Sequence, residues 1–489
     1  MLSRRTLLMG MAASTALPAW AEAPARSPRP PVRPGFLGAN VPQLSEIVAR
    51  ADLGGRVGFA LVDLSSGGML ESLGAETPMP PASTAKVVTA LYALAQLGAE
   101  YRFATQLIVT GPISNGRVRG DVVLAGGGDP TLTTDGLADL VEQMAGRGIT
   151  GVDGALLVWA GALPFVEALD PTQPEWLGYN PAVSGLNLNF NRVHFAWKKV
   201  KAGYEVALEA RDRRFSPPVR SARMRVVERE QPVYARDADA QAEEWSVARA
   251  ALGRAGSRWL PVRRPDLYAG DVLWTLARAK GIDLPRPRVV AERPQGRNVA
   301  EVQSATLRDV LRGMLRYSTN ITAEAVGMAA SARLGATSHV ESARKMTDWV
   351  RDAAGLSIAR FVDHSGLSGA SRISADEMVR VLTRLGPDAN LRDLLKPVKP
   401  DPETTAGAIV GRADIRAKTG TLNFVSALAG YINGDGRDMA FAIFSGDVAR
   451  RDAVPDAQKE RPPGGRAWLG RARRMQQEAL ARWIAVYAS

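Results

Sequence analysis

Residues 78–88 read Pro-Met-Pro-Pro-Ala-Ser-Thr-Ala-Lys-Val-Val, and this stretch decides the fold. The prolines at 78, 80 and 81 break regular structure. Directly behind them Ser83 opens a run in which Val87, Val88, Leu91 and Leu94 recur at helical period, as far as Leu97. Ser83 and Lys86 stand three apart on that helix and share a face. A serine hydroxyl is a weak nucleophile until a base lies within hydrogen-bonding reach. A lysine becomes that base when burial or a neighbouring cation lowers its pKa. A serine at a helix start also leaves its own backbone N–H for an oxyanion. The plain structural alternative is a serine N-cap. The same spacing occurs at Ser342-Ala343-Arg344-Lys345, which reads as an exposed helix face.

Two later motifs give the first its setting. Ser318-Thr319-Asn320 follows an amphipathic helix carrying Leu307, Val310, Leu311, Met314 and Leu315. Alone it would be a polar turn between helices. Lys418-Thr419-Gly420-Thr421 sits inside the apolar stretch Ile415–Tyr431, where a lysine and a glycine are both out of place. The glycine suggests close approach of a ligand backbone, and the lysine a charge for a substrate carboxylate. Alone, that lysine would guard a sheet edge.

Ser-x-x-Lys, Ser-x-Asn and Lys-Thr-Gly in this order are the triplet of penicillin-binding proteins and class A β-lactamases. The gaps are 235 residues from Ser83 to Ser318 and 100 from Ser318 to Lys418. With so wide a first gap the chain resembles the low-molecular-mass class C penicillin-binding proteins, the D-alanyl-D-alanine carboxypeptidase/endopeptidases of the S13 peptidase family. Those carry two domains inserted between the first and second motifs. The resemblance covers most of residues 38–489. It includes Gly128-Asp129-Pro130-Thr131-Leu132 and the loop Asp363-His364-Ser365-Gly366-Leu367-Ser368.

The resemblance implies an α/β (α+β) fold: a penicillin-binding/β-lactamase-like transpeptidase domain with an antiparallel sheet flanked by helices, plus two inserted domains, one mainly β. It implies that Ser83 is acylated with Lys86 as base, that Ser318 relays a proton, and that Asn320 holds the substrate amide. Lys418 would set the field and, with Thr419 in the Lys418–Thr421 motif that includes Gly420, bind a terminal carboxylate. The backbone N–H groups of Ser83 and Thr421 would form the oxyanion hole. Peptidoglycan peptides and β-lactam antibiotics are the implied partners. Three departures bear on peptide recognition. Trp159 stands where the family usually has Asp, Gly369 where relatives often have Arg, and Thr404–Ala406 keeps little of the family's Asp-Gly-Thr-Leu.

The texture of the chain fits an interrupted domain. Strands at Val57–Asp63 and from Met69 precede the first motif. Strands at Ile415–Tyr431 and Met439–Phe444 and a last helix with Trp468, Ala472, Met475, Ala479, Trp483 and Tyr487 on one face follow the third. Between them lie strands at Gln106–Val109, Val118–Leu124 and Ala155–Trp159, a helix near Leu137–Met144, and the short strands Val193–Trp197, Tyr204–Leu208 and Met224–Val227. A helix at Leu267–Ala277 follows. The expected division is 38–100 with 296–489 for the peptidase domain, 101–180 with 256–295 for one insertion, and 181–255 for the β-rich one.

The N-terminus is separate. Arg4 and Arg5 precede an apolar run of 13 residues, Leu7–Ala19, and Ala19-Trp20-Ala21 offers a cleavage site before Glu22. Such a run is short of the roughly 20 residues that span a bilayer. Residues 1–21 therefore read as a cleaved signal peptide, of the general secretory or the twin-arginine kind, followed by a Pro-rich leader at 22–37. The expected location is periplasmic, with no membrane span in the mature chain.

Composition narrows the classes further. Of 489 residues 46% are apolar and 23% charged, ordinary for a globular protein with a large core. With no cysteine there are no disulfides to form, and the three histidines, at 194, 339 and 364, are far apart in sequence. Neither a metal nor a cofactor is expected. The net charge of +12 comes without a basic block interleaved with aromatics, so nucleic acid is not an expected partner. Two other functions share this sequence logic. A β-lactamase-like hydrolase would use the same acylation, but the length and insertions argue against it, and no clear Glu-x-x-Leu-Asn is present. A non-catalytic cell-wall-binding scaffold would not need all three motifs.

Overall fold

The computed structural model of the chain describes residues 41–238, 242–401, 403–434 and 436–488. The expected signal peptide, and the leader with it, lies outside the described residues. Among the described residues no helix is long and apolar enough to cross a membrane.

Six antiparallel strands form the main sheet, in the order Lys396–Pro397, Asp414–Leu422, Val425–Gly434, Arg437–Gly446, Arg56–Asp63, Met69–Leu73. The first long strand thus zips onto the last, Phe59 opposite Ile443 and Leu61 opposite Phe441. Central strands buried on both faces read as continuous apolar runs rather than alternations. Val425–Gly434 is such a run, buried at every residue but one. One face packs on the helices Leu44–Ala51 and Gly465–Tyr487, with Phe59, Phe441 and Trp483 in the seam. The other face packs on Ala85–Leu97 (the serine helix), Leu307–Tyr317 and Ala375–Leu385. Asn320–Ala332 (the asparagine helix) and His339–Ala354 join this second layer.

The chain leaves and re-enters this unit at one point. Ser304 N–H donates to the Phe103 carbonyl at 2.9 Å, and Phe103 N–H donates to Ser304 Oγ at 3.0 Å. Between the two lies a second, mixed sheet in the order Pro287–Val290, Leu156–Trp159, Val122–Gly126, Ala104–Val109, Arg297–Gln303, backed by the helices Thr134–Gly146 and Pro265–Ala279. Two three-stranded sheets follow the β-rich reading. Gly203–Glu209, Arg192–Val200 and Ala255–Pro261 form one, and Ala222–Val227, Glu243–Ala248 and Tyr234–Ala238 the other.

These pairings move the expected boundaries. Arg297–Gln303 pairs with Ala104–Val109 and so continues the insertion past residue 295. Ala255–Pro261 pairs with Arg192–Val200 and so continues the β-rich part past residue 255. We propose that the insertion runs from Ala104 to Gln303, because its ends are neighbouring strands and the Phe103–Ser304 clasp closes it.

Candidate active site

Ser83 sits in a 3-10 turn, Ala82–Thr84, that runs straight into the serine helix. Thr84, not Ser83, occupies the N-cap of that helix. Thr84 ties the turn by donating its N–H and its hydroxyl to the Pro81 carbonyl, at 3.1 and 2.7 Å. Ala82 is held at φ 47, a backbone region unfavourable for a side chain with a Cβ. The surroundings enforce it. A Cβ on Gly366 would meet the Ala82 carbonyl at 1.9 Å. A Cβ on Gly420 would meet the Pro81 carbonyl at 2.8 Å and the Ser83 nitrogen at 3.0 Å. The close approach that Gly420 admits includes the protein's own serine turn.

Lys86 is fully buried. Its ammonium donates to Ser83 Oγ at 3.0 Å, to Asn320 Oδ1 at 2.8 Å and to the Ser365 carbonyl at 2.7 Å. Burial lowers its pKa to about 8, while Asp363 and Glu324 pull it upward. A lysine in that state exchanges its proton near neutral pH.

Ser318 caps the helix Leu307–Tyr317 in a left-handed conformation, φ 59. The next helix begins at Asn320, so the turn aims both side chains at one cleft. Lys418 is also fully buried and donates to Ser318 Oγ at 2.9 Å and to the Thr419 carbonyl at 2.6 Å. Burial, with Lys86 and Lys396 nearby, drives its pKa well below the usual lysine value. Lys418 is not the edge guard of the plain reading, because although its strand is open on the side away from Val425–Gly434 beyond Ala417, its side chain is fully buried. Thr419 and Thr421 are exposed, and Thr421 lines the cleft. All eight residues singled out by sequence thus gather around the serine turn. Ser83, Lys86 and Asn320 form one linked set, and Ser318 and Lys418 a second. Gly420 packs on the turn between Thr419 and Thr421.

Sequence reasoning missed a buried layer behind Lys86. Glu324 is fully buried and accepts from the His364 N–H at 3.0 Å, the Ser365 N–H at 2.8 Å and faces His339 Nε2 at 2.8 Å. Asp363 accepts from the N–H of Gly366 at 3.1 Å, the N–H of Ser368 at 2.8 Å and the Ser371 hydroxyl at 3.0 Å. Burial, then the charge of Glu324, raises Asp363 to about 6. The one available signal was Glu324 at i+4 from Asn320, on the same helix face. Ser342 is likewise corrected: it is buried, and its Oγ lies 2.7 Å from His364 Nε2. His339 and His364, distant in sequence, bring their rings to 6.2 Å. Among the described residues no group of three or more acidic or histidine side chains is placed to hold a metal.

The cleft has a volume of about 1060 Å³, and Ser83, Ser318, Asn320 and Thr421 open into it beside Tyr179. Asn320 Nδ2 donates to the Tyr179 carbonyl at 3.0 Å, so a loop of the insertion fixes its amide. Gly369 lines the cleft, and a Cβ there would meet the Arg451 guanidinium at 2.0 Å. Arg451 fills that space from the segment Val448–Asp452. Trp159 lies elsewhere, with the Arg293 guanidinium 5.5 Å from its ring.

Known proteins resemble the chain in sequence and fold. A model of the D-Ala-D-Ala carboxypeptidase 3 (S13) family matches residues 41–461. The chain is 26% identical over 417 residues to the D-alanyl-D-alanine carboxypeptidase of Actinomadura sp. (strain R39), covering 79% of this chain and 77% of that protein. It is 25% identical over 467 residues to the D-alanyl-D-alanine carboxypeptidase DacB of Haemophilus influenzae, covering 88% and 94%. The crystal structure of penicillin binding protein 4 (dacB) from Haemophilus influenzae superposes with a TM-score of 0.73 at 20% identity, covering 90% of this chain and 99% of that one. The fold is the penicillin-binding one, a sheet between helical layers with extra domains inserted.

Proposed function

Because the chain belongs to the D-Ala-D-Ala carboxypeptidase 3 (S13) family, we propose that Ser83 is the nucleophile of a serine-type D-Ala-D-Ala carboxypeptidase and Lys86 its base. The observation that carries this reading is the 3.0 Å contact between Ser83 Oγ and the buried Lys86 ammonium, whose pKa burial brings to about 8. In the neutral state Lys86 takes the hydroxyl proton as Ser83 Oγ bonds to the carbonyl carbon of the penultimate D-alanine. The oxyanion forms between the N–H groups of Ser83 and Thr421, which the close packing of Gly420 on the serine turn supports. Collapse breaks the C–N bond. The leaving amine takes the proton back from Lys86 through Ser318, leaving the acyl chain on Ser83. Water then enters with Lys86 again as base, and the carboxylate product and the free serine result.

Asn320 holds the substrate amide from its fixed position between Lys86 and Tyr179. Lys418 and Thr419 bind the terminal carboxylate. The substrate is a peptidoglycan stem peptide. Cross-link cleavage uses the same acylation, with a peptide amine in place of D-alanine as leaving group. β-Lactams acylate the same serine, since their strained amide presents its carbonyl to Ser83 and their carboxylate lies toward Lys418 and Thr419. Residues 1–21 serve as a cleaved export signal that delivers the enzyme to the periplasm, on the charge and hydropathy pattern of that segment.

The test pairs labelling with turnover. A fluorescent penicillin labels the wild type covalently, and Ser83→Ala folds normally without labelling. Persistent labelling of that variant would move the nucleophile elsewhere. Released D-alanine from purified stem peptides, identified by mass, establishes the carboxypeptidase step. Separated cross-links in the same assay establish the endopeptidase step.

A further inference from the structure

Glu324 is the buried acid beside the site that acylation chemistry leaves unused. A buried carboxylate persists only when paired and hydrogen-bonded. Here its partners lie on two elements. His364 and Ser365 offer backbone N–H groups from the Asp363–Ser368 loop, and His339 offers Nε2 from the first residue of the helix His339–Ala354. The same Ser365 whose N–H is held by Glu324 turns its carbonyl to Lys86 at 2.7 Å. Asn320, one helical turn before Glu324, turns its Oδ1 to Lys86 at 2.8 Å. One helix therefore grips the Lys86 ammonium twice, directly through Asn320 and through one residue of a loop that Glu324 pins.

We infer that Glu324 is a positioning residue for the base: it fixes the Ser365 carbonyl that aims Lys86 at Ser83, it supplies negative charge to that buried ammonium, and His339 governs how much of this charge Lys86 feels. The inference rests on the Ser83–Lys86 reading. A merely structural tie would use the same hydrogen bonds without any effect on the proton of Lys86.

The surrounding groups give the effect its sign. Lys86 faces Ser83 on its own turn, Asn320 and Glu324 on the asparagine helix, Asp363 and the Ser365 carbonyl on the loop, and Lys418 on its strand. Glu324 faces His339, His364 and Asp363. Burial holds His364 at about 4, neutral when Lys86 titrates. His339 differs: burial would lower it, but the Glu324 carboxylate outweighs burial and raises it. Its side chain is 17% exposed against none for Glu324, so protons reach the pair through His339. A charged Glu324 favours the ammonium form of Lys86. A protonated His339 offsets that charge.

The experiment follows the second-order rate of acylation of the full chain by a fluorescent penicillin, across the pH range that brackets the Lys86 value of about 8. In the wild type the rate rises with pH as Lys86 loses its proton. Glu324→Gln removes the negative charge, so the rising limb moves to lower pH, by about one unit, the small end of what a nearby opposite charge does. His339→Gln keeps a hydrogen-bond donor for Glu324 but cannot carry the proton that Glu324 favours on His339, so wherever that proton is bound in the wild type the limb moves the other way, to higher pH. Opposite shifts support the inference. Equal losses of rate at every pH, with the limb unmoved, would make the pair a structural tie and overturn it. Should Glu324→Gln fail to fold, the partly exposed His339→Gln decides alone: a limb moved up supports the inference, and an unmoved limb sinks it. A wild type that is never acylated overturns the Ser83–Lys86 reading instead, and with it this one.

Discussion

Two buried lysines lie near each other beside the serine turn, and their surroundings differ in charge. The Lys86 side contains two buried acids, Glu324 and Asp363, and three oxygen acceptors for the ammonium. Among the described residues the Lys418 side offers the Ser318 hydroxyl and the Thr419 carbonyl, and its charged neighbours are Lys86 and Lys396. Both lysines lose charge to burial, but only Lys86 has countercharges to limit the loss. A general base works best with a pKa near the working pH. A carboxylate receptor without countercharges can take up its proton, and with it its charge, when the ligand arrives. We propose that the difference between the two sides separates a proton shuttle from a binding group.

The hardest blow to this comparison comes from Lys86→Met. Loss of a general base costs on the order of 10²–10⁴ in rate. Acylation by a fluorescent penicillin should fall by that much while the melting curve keeps one cooperative transition. A variant acylated at the wild-type rate would transfer the base to another group, with Lys418 the first suspect.

Next in size is Gly420→Ala, which acts on the seam between the two sides. The new Cβ has Pro81, Ala82 and Ser83 within 3.0 Å, all in the turn that aims the nucleophile. A displacement of about 1 Å costs roughly 10²-fold when reacting atoms must align. Acylation should drop by about that factor with both lysines intact. An unchanged rate would mean that the turn and the strand can part without cost.

Lys418→Gln sharpens the other half. A carboxylate arriving beside Lys418 favours its charged form, so the pKa rises and a proton is taken up from solvent. Calorimetry of peptide binding in buffers of different ionisation heat should show that uptake in an acyl-blocked Ser83→Ala background. It should vanish in Lys418→Gln and for a peptide ending in carboxamide. The affinity loss should be about tenfold, the lower range for a charge-assisted hydrogen bond. Proton uptake that survives the substitution would end the assignment of Lys418 as the receptor.

The legible and illegible parts of the molecule divide along the same line. Motif residues stand at fixed short spacings, so a helix start, a helix-to-helix turn and an apolar strand each announce a side chain out of place. The outer strands and helices were largely readable, because Val57–Asp63 is a continuous apolar run and the last helix carries a clear period, but the apolar stretch Ile415–Tyr431, read as one strand, is two paired ones, Asp414–Leu422 and Val425–Gly434. Glu324 was not readable, because a single acid in an otherwise apolar helix takes its meaning from His339, His364 and Ser365, which only folding brings near. Ser342 was misread for the same reason: its helix has a charged outer face, and nothing local tells that His364 waits on the inner one. That Gly420 packs on the serine turn was not readable, since this approach joins residues more than 330 positions apart. The limits we propose for the insertion differ from the expected ones because a strand is grouped with the sheet it pairs with, whatever its place in the chain.

The smallest effect tests the packing behind the acid side. Gly327 lies on the asparagine helix between Glu324 and the end of that helix, and a Cβ there would come within 2.2 Å of the His364 ring. The ring has no room to retreat. Its Nε2 is 2.7 Å from Ser342 Oγ and its Nδ1 is 3.3 Å from Met346 Sδ. Overpacking of this kind costs about 1–3 kcal/mol. Gly327→Ala should therefore lower stability by about that amount in urea unfolding, even though alanine is the better helix former by about 1 kcal/mol. Crowding the ring presses on the loop that carries Ser365, so the acylation rate should fall as well, by less than in Gly420→Ala, with the proton uptake at Lys418 unchanged. If the variant instead proves more stable than the wild type, the loop can yield without cost. The acid side would then be no more rigid than the side without acids, and the contrast between the two lysines would rest on charge alone.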